Sequence, residues 1–276
     1  MIRGSTVLIA HLGDPIAPVK APMIYNPYFE KAGIDAVVVP MGVTVADYAA
    51  VLRALFRLTN LRGALVTMPH KVTTVGLLDE MSTAVEVAGS CNAVLRLPDG
   101  RLRGDLFDGA GFVRGIERKG FPLAGVRALV VGTGGVGSAI AAALAAARVG
   151  SIALADANPA SATALAARLS RHYPDVEVHS GSSDPAGFAL VVNATPLGMN
   201  AGDPLPLDVG RLTPGTVVGE VVMKQEMTPL LRAARERGCP IQVGTDMLFE
   251  QIPLYLAFFG FPVATPEELR AVARLD

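Results

Sequence analysis

The chain has 276 residues, of which 51% are hydrophobic and 18% charged, with a formal net charge of −1. That length suits one large domain or two modest ones, and that apolar fraction is enough for a real core, which excludes a disordered chain. Acids and bases are mixed along it, with no basic block for nucleic acid and no basic amphipathic stretch for a membrane surface. Trp is absent and aromatics are 5% of residues, which argues against a base-stacking platform. The N-terminus runs straight into the strand-like Val7-Leu-Ile-Ala10 and does not read as a signal peptide, and the alanine-rich stretch 138–148 is too short to span a bilayer. A cytoplasmic location is expected. Cys91 and Cys239 have no metal-ligand spacing and imply no disulfide framework; no metal is expected.

In chain order, 6–11 predicts a short strand leading into His11-Leu-Gly-Asp-Pro-Ile-Ala-Pro18, an irregular loop. Residues 22–32 predict a helix stopped by Gly33. A strand follows at 36–40, a helix at 48–58 and a strand at 63–67, which ends at Met68-Pro-His-Lys71. A helix is expected over 81–88, then a hairpin around the Pro98-Asp-Gly100 turn. Asp108-Gly-Ala-Gly111 opens another helix, and 118–125 reads as a seam. From 126 the pattern is regular: strands at 126–131, 150–155, 176–179, 188–193 and 216–222, helices at 137–148, 159–172 and 227–237. The tail from Gly244 reads as two helices. Alternating strands and helices predict an α/β chain of two domains. A first α/β domain (1–120), to which the tail (240–276) can return, accompanies a doubly wound parallel Rossmann sheet (121–239).

The apolar run 126–131 ends in Gly132-Thr133-Gly134-Gly135-Val136-Gly137 and enters a helix. Strand, glycine turn and helix in that order are the context of a dinucleotide-binding loop. Gly132 makes the tight turn, Gly134 lets the backbone approach a pyrophosphate, and Gly137 lets helix and strand pack closely. Free N–H groups at the helix start hold the anion. Asp156 ends the next strand, where an acid binds the ribose hydroxyls of NAD and repels a 2′-phosphate; no cation follows before Arg168. NAD is therefore expected ahead of NADP. The other reading of Asp156 is a helix N-cap before Pro159. Lys71, at the carboxyl edge of a strand, is either a surface charge or a proton-moving group facing a ligand crevice. Asp108 is its natural partner, or a helix cap. Asn92 is a turn residue or a ligand to a substrate hydroxyl. His70, held in a bend between proline and lysine, reads as structural.

At these residues the chain resembles the shikimate dehydrogenase family. The resemblance runs in order through Gly13-Asp-Pro-Ile16, Val66-Thr-Met-Pro-His-Lys71, Gly89-Ser-Cys-Asn92, Asp108-Gly-Ala-Gly111 and the glycine loop. It continues through Asn193-Ala194-Thr195-Pro-Leu-Gly-Met199, Thr228-Pro-Leu-Leu231 and Gly244-Thr-Asp-Met247-Leu-Phe-Glu-Gln251. It implies two α/β domains around a cleft, with the last helices returning to the first. It also implies reversible hydride transfer between NAD or NADP and a ring hydroxyl of shikimate, quinate or a relative, as in aromatic amino acid biosynthesis. Lys71 and Asp108 would form the catalytic pair. Thr67, Asn92 and Gln251 would touch substrate hydroxyls, and Gly244 and Met247 would lie near the nicotinamide. Beyond the small-molecule substrate no nucleic-acid or membrane partner is implied, and the chain would be a monomer or homodimer.

Five polar positions of that pattern are apolar here. Val19 and Ala21 replace the two serines that hold the substrate carboxylate. Leu65 and Leu106 replace asparagines, and Met223 replaces a tyrosine. Asp156-Ala-Asn158 replaces a phosphate-reading Asn-Arg-Thr. A carboxylate among Val19, Ala21 and Met223 would lose its hydrogen bonds, so the expected substrate lacks a carboxylate or binds it elsewhere, with Lys20 as a possible replacement cation. An ordinary NADP-dependent shikimate dehydrogenase and a catalytically weak dinucleotide sensor are the alternative readings.

Overall fold

The computed structural model describes residues 2–275. The chain divides into two units, one of residues 1–107 with 252–276 and one of residues 108–251. The sequence places the seams at 118–125 and near 240. Instead, the helix opened by Asp108 and the first half of the long helix after Gly244 belong to the second unit.

The first unit contains β1 (Val7–Gly13), α1 (Pro22–Lys31), β2 (Ala36–Gly42), α2 (Tyr48–Leu55), β3 (Leu61–Val66) and α3 (Lys71–Val75). It continues with β4 (Glu80–Met81), α4 (Thr83–Ala88), β5 (Ala93–Arg96) and β6 (Leu102–Asp105). The sheet order is β2-β1-β3-β5-β6-β4. Strands β1, β2 and β3 are parallel, and β5 and β6 form the antiparallel hairpin that Pro98-Asp-Gly100 predicts. The helix expected at 81–88 begins later. Residues 80–81 pair with β6 instead, and the Ser82 side chain accepts from Val85 N–H as the cap. Residues 252–275 lie against the same sheet: Tyr28 Oη donates to Pro262 O at 2.9 Å, and Phe107 meets Tyr255 edge-on at 4.8 Å.

The second unit contains α5 (Asp108–Arg118), β7 (Arg127–Val131), α6 (Gly135–Ala146), β8 (Ser151–Ala155), α7 (Pro159–His172), β9 (Glu177–Ser180) and β10 (Leu190–Asn193). Then come β11 (Val217–Glu220), α8 (Pro229–Glu236), β12 (Ile241–Gln242) and α9 (Gly244–Phe258), which runs on into the first unit, where α10 (Pro266–Val272) follows. All six strands are parallel in the order β12-β11-β10-β7-β8-β9, a doubly wound sheet whose strand order reverses between β7 and β10. The short Val and Ala runs of β7, β8 and β10 are buried on both faces, as a sheet covered by helices requires.

The glycines at the start of α5 have a packing cause. A Cβ on Gly109 would overlap the Ala139 carbonyl of α6 and come within 2.8 Å of Ile140 N. Backbone meets backbone there, so nothing can yield. Gly109→Ala is expected to cost about 1–3 kcal/mol by overpacking, read as a fall in unfolding midpoint; a variant as stable as the parent would show that α5 and α6 can part at this point.

Candidate active site

In the second unit, the dinucleotide loop follows from its glycines. Gly132 has φ +96°, a conformation a side chain disfavours, and an added Cβ would sit 2.8 Å from the Ala194 carbonyl carbon. Gly137 lies against the Gly132 carbonyl, with Ala194 Cβ 3.1 Å from where its own Cβ would be. The ends of β7 and β10 therefore come together at the point where the strand order reverses. Helix α6 starts at Gly135, two residues before the expected start, and Gly134, its N-cap, has no atom within 4 Å of its Cβ position. The loop combines exposed N–H groups, open space and a helix start, a fit for a pyrophosphate.

Asp156 is built into that loop. Its Oδ2 accepts from Thr133 N–H at 2.6 Å and from Thr133 Oγ1 at 2.9 Å, and its Oδ1 accepts from Asn158 N–H at 2.8 Å. Burial opposes ionisation, but these bonds hold the carboxyl below the usual range, so it is charged at neutral pH. The N-cap reading of Asp156 is corrected. Asn158 caps α7, its Oδ1 accepting from Ala160 N–H at 3.1 Å.

Across the β10 end, Asn193 Oδ1 accepts from Thr195 N–H and Oγ1 at 3.0 and 2.6 Å, fixing the turn through Ala194. Asp108 is buried at the start of α5, and α9 approaches that helix closely: a Cβ on Gly111 would lie 2.7 Å from both Gln251 Cβ and Met247 O. The second unit thus brings Asp108, Met247 and Gln251 onto adjoining helices. Gln251 is nearly buried, with its Oε1 unpartnered. Gly244 packs on the Val222 carbonyl, and Met223 is 42% exposed.

In the first unit, Thr67, Lys71 and Asn92 come from three chain segments that close on one another. Thr67 N–H donates to Leu12 O (2.9 Å), Val66 N–H to Asn92 O (2.8 Å) and Cys91 N–H to Lys71 O (2.9 Å). Asn92 is 1% exposed; its Oδ1 accepts from Phe107 N–H at 3.0 Å, while its Nδ2 has no partner. An amide half satisfied by the fold offers its other half to a ligand. His70 is structural, as expected. Its Nε2 lies 2.8 Å from Val43 O, and its ring stacks on Tyr48 at 4.0 Å. Of the apolar replacements, Leu65 and Leu106 are core residues, whereas Val19 is half-buried ahead of α1 and Ala21 is its buried N-cap, with no side-chain cap bond.

Two groups escaped the sequence reading. His11 interrupts an apolar strand and is buried with Nδ1 unpartnered; burial, reinforced by the Lys71 ammonium, holds its imidazole down at about 4. Glu220 ends β11 fully buried, its Oε2 accepting from Thr228 Oγ1 at 2.9 Å and its Oε1 unpartnered. Burial pushes it up to about 7 against the bonds from Thr228 and Asn193. In each case one polar residue inside an apolar run was the available signal. Among the described residues, no three His, Cys, Asp or Glu side chains cluster to hold a metal, and no helix is long and apolar enough to cross a membrane.

A doubly wound parallel sheet with a glycine loop at its switch point defines a dinucleotide-binding protein, here joined to a second α/β unit. Residues 12–94 match the shikimate dehydrogenase substrate binding domain. The shikimate dehydrogenase (NADP(+)) of Rubrobacter xylanophilus is 38% identical over 91% of this chain and 89% of its own. Among solved structures, shikimate 5-dehydrogenase from Listeria monocytogenes, in complex with shikimate and NAD, superposes with a TM-score of 0.92 at 27% identity, covering 98% of this chain and 97% of that one. The 5-ketofructose reductase of Gluconobacter sp. strain CHM43 superposes with a TM-score of 0.86 at 25% identity over 97% and 99%. The chain belongs to the shikimate dehydrogenase family, NAD(P)-dependent oxidoreductases acting on a CH–OH group.

The two buried groups give opposite pH dependences. The folded pKa of His11 lies below its ordinary 6.5, so charging the buried ring costs nothing above that pH, and stability is lost progressively as pH falls from there toward about 4. The folded pKa of Glu220 lies above its ordinary 4.5, so its contribution is present below that pH and is lost as pH rises through about 7. Each amounts to about 3 kcal/mol, and over the shared interval they offset. In chemical denaturation between pH 4 and 7.5, His11→Leu should leave stability falling with rising pH, and Glu220→Gln should leave it rising. Parallel profiles for both variants would refute the assignment.

Proposed function

We propose that this enzyme transfers a hydride between NAD and a secondary hydroxyl of a compact hydroxylated substrate, with Lys71 and Asp108 moving the proton, and that it does not hold a substrate carboxylate at Val19 and Ala21. The carrying observation is a contrast within the first unit. The Asn92 amide keeps a buried, unpartnered Nδ2 in the segment that bonds to Lys71 O, while the turn before α1 presents Val19 and Ala21 and no hydroxyl. Hydroxyl recognition is retained and carboxylate recognition is lost. A carboxylate desolvated against such a wall costs several kcal/mol. The 5-ketofructose reductase likeness supports this reading, because 5-ketofructose carries no carboxylate.

The roles of Lys71 and Asp108 rest on the motifs they stand in. In the oxidative direction the substrate hydroxyl donates to the pair, which takes the proton as the C–H bond breaks; in reduction it returns the proton to the carbonyl oxygen. Thr67, Asn92 and Gln251 hold the remaining hydroxyls and set which carbon is presented. The nicotinamide, when bound, supplies the hydride acceptor. Gly134 and Gly135 offer backbone N–H groups to the pyrophosphate, with Thr133 tied to Asp156 beside them and Val136 and Gly137 in the first turn behind them, and Asn193, Ala194 and Thr195 form the opposing wall. Gly244 and Met247 are assigned to the nicotinamide end.

The curated relative carries NADP(+) in its name, which favours NADP for the family. This chain's own loop supports NAD, because the ionised Asp156 stands where a 2′-phosphate would have to enter. NAD should therefore exceed NADP in kcat/KM, and Asp156→Ala should narrow the ratio by about tenfold or more. A parent enzyme that prefers NADP would overturn the cofactor assignment alone.

Turnover is tested by nicotinamide absorbance with shikimate, quinate and 5-ketofructose. Shikimate efficiency should fall below about 10⁴ M⁻¹s⁻¹; a value above it would refute the lost carboxylate site. Lys71→Ala should lower kcat by about 10²- to 10⁴-fold with NAD affinity unchanged. Tight NAD binding with no turnover on any of the three would favour the sensor reading.

A further inference from the structure

Four observations within the first unit converge on one strand end. His11 of β1 is the register partner of Leu65 of β3. Partners in adjacent parallel strands put their side chains on the same face, so His11 and Leu65 lie side by side, about 4.8 Å apart across the sheet. Thr67 covers that face too: a Cβ on Gly13, two residues beyond His11, would overlap Thr67 Cγ2 and come within 3.1 Å of Met68 O. Lys71 lies one short turn further on, close enough for its charge to act on the imidazole. Finally, His11 Nδ1 is buried with no hydrogen-bond partner.

A buried polar nitrogen left unpaired is a cost that the fold does not recover. Here it sits among the residues assigned to the substrate, beside the position where the family resemblance leads one to expect an asparagine and the chain has Leu65. The polar group absent from β3 has a counterpart one strand away, on β1.

We propose that His11 is a specificity-determining residue of the substrate site, its imidazole Nδ1 taking the hydrogen bond of a substrate hydroxyl that Leu65 cannot take. The inference rests on the dehydrogenase reading above and deepens it, by naming the ligand chemistry of this corner of the site. Burial and the Lys71 charge keep the ring neutral at physiological pH, so it presents one nitrogen that accepts and one that donates. A hydroxyl, which both donates and accepts, complements that pattern. The favoured ligand class is an uncharged polyol or ketose with adjacent hydroxyls.

Three proteins test this at pH 7.5: the parent, His11→Leu, and His11→Leu with Leu65→Asn. Each is assayed with NADH and 5-ketofructose, and with NAD and shikimate or quinate. Unfolding midpoints are measured alongside. His11→Leu should raise KM for 5-ketofructose about tenfold or more, the size of one lost hydrogen bond with its unpaired partner, with a smaller change in kcat. Its midpoint should equal or exceed that of the parent, because an unpaired polar atom has been removed; a merely structural histidine would move the midpoint and leave KM alone. Adding Leu65→Asn should recover at least part of the loss. An active parent with unchanged KM in His11→Leu overturns the inference and leaves the dehydrogenase reading intact. A loss equal for all three probes overturns the specificity role. A parent that neither binds nor turns over any of the three overturns the dehydrogenase reading itself, and the inference with it.

Discussion

A polar atom taken out of water must find a partner inside the fold or keep an opening for one, and that constraint organises the functional parts of this chain. Most buried polar groups are satisfied locally, as Asn193 is by Thr195 and Leu197 and His70 by Val43, and the half-buried Asp156 is satisfied by Thr133 and Asn158. His11 Nδ1, Asn92 Nδ2 and Gln251 Oε1 are not. All three stand in or beside stretches that carry the family's motifs. Packing alone would select an apolar side chain at such places, so their retention fits a ligand that completes the bonding.

In the second unit the same demand is met by the backbone. The parallel strands β7, β8 and β10 end with groups that have no further ladder partner, and the chain turns sharply there. Gly132 and Gly137 make the turn tight enough for Ala194 to press against it. Asp156 then ties the end of β8 to the loop through both hydrogens of Thr133, the amide and the hydroxyl. The loop is held from two strands before any ligand arrives, so less ordering remains to be done on binding.

The alternation of apolar runs and helical spacing from 126 onward was legible because β7, β8, β10 and β11 are short, almost wholly buried and rich in Val and Ala, and because glycine marks the turn. The glycine loop was legible for a similar reason: its backbone geometry restricts residue choice. The unit boundaries were not, since nothing in composition separates Phe107 from Asp108, and α9 is one uninterrupted helix across the other division. The two-residue strands β4 and β12 exist only by pairing with distant partners, β6 and β11. His11 and Glu220 were passed over because an isolated polar residue in a strand carries no local pattern; its meaning depends on neighbours that the fold supplies.

The capping of α7 by Asn158 separates two duties that a single acid at a strand end often combines. Helix α7 has its own cap, because its first-turn amide is met by the Asn158 side chain, while Asp156 holds only the Asn158 amide. Substitution at 156 therefore gives up the Thr133 tie and the bond to the Asn158 amide, and leaves the capping side chain in place. This corner of the loop is thus a place where a side chain can be exchanged at the cost of local ties, with the cap of the helix behind it kept.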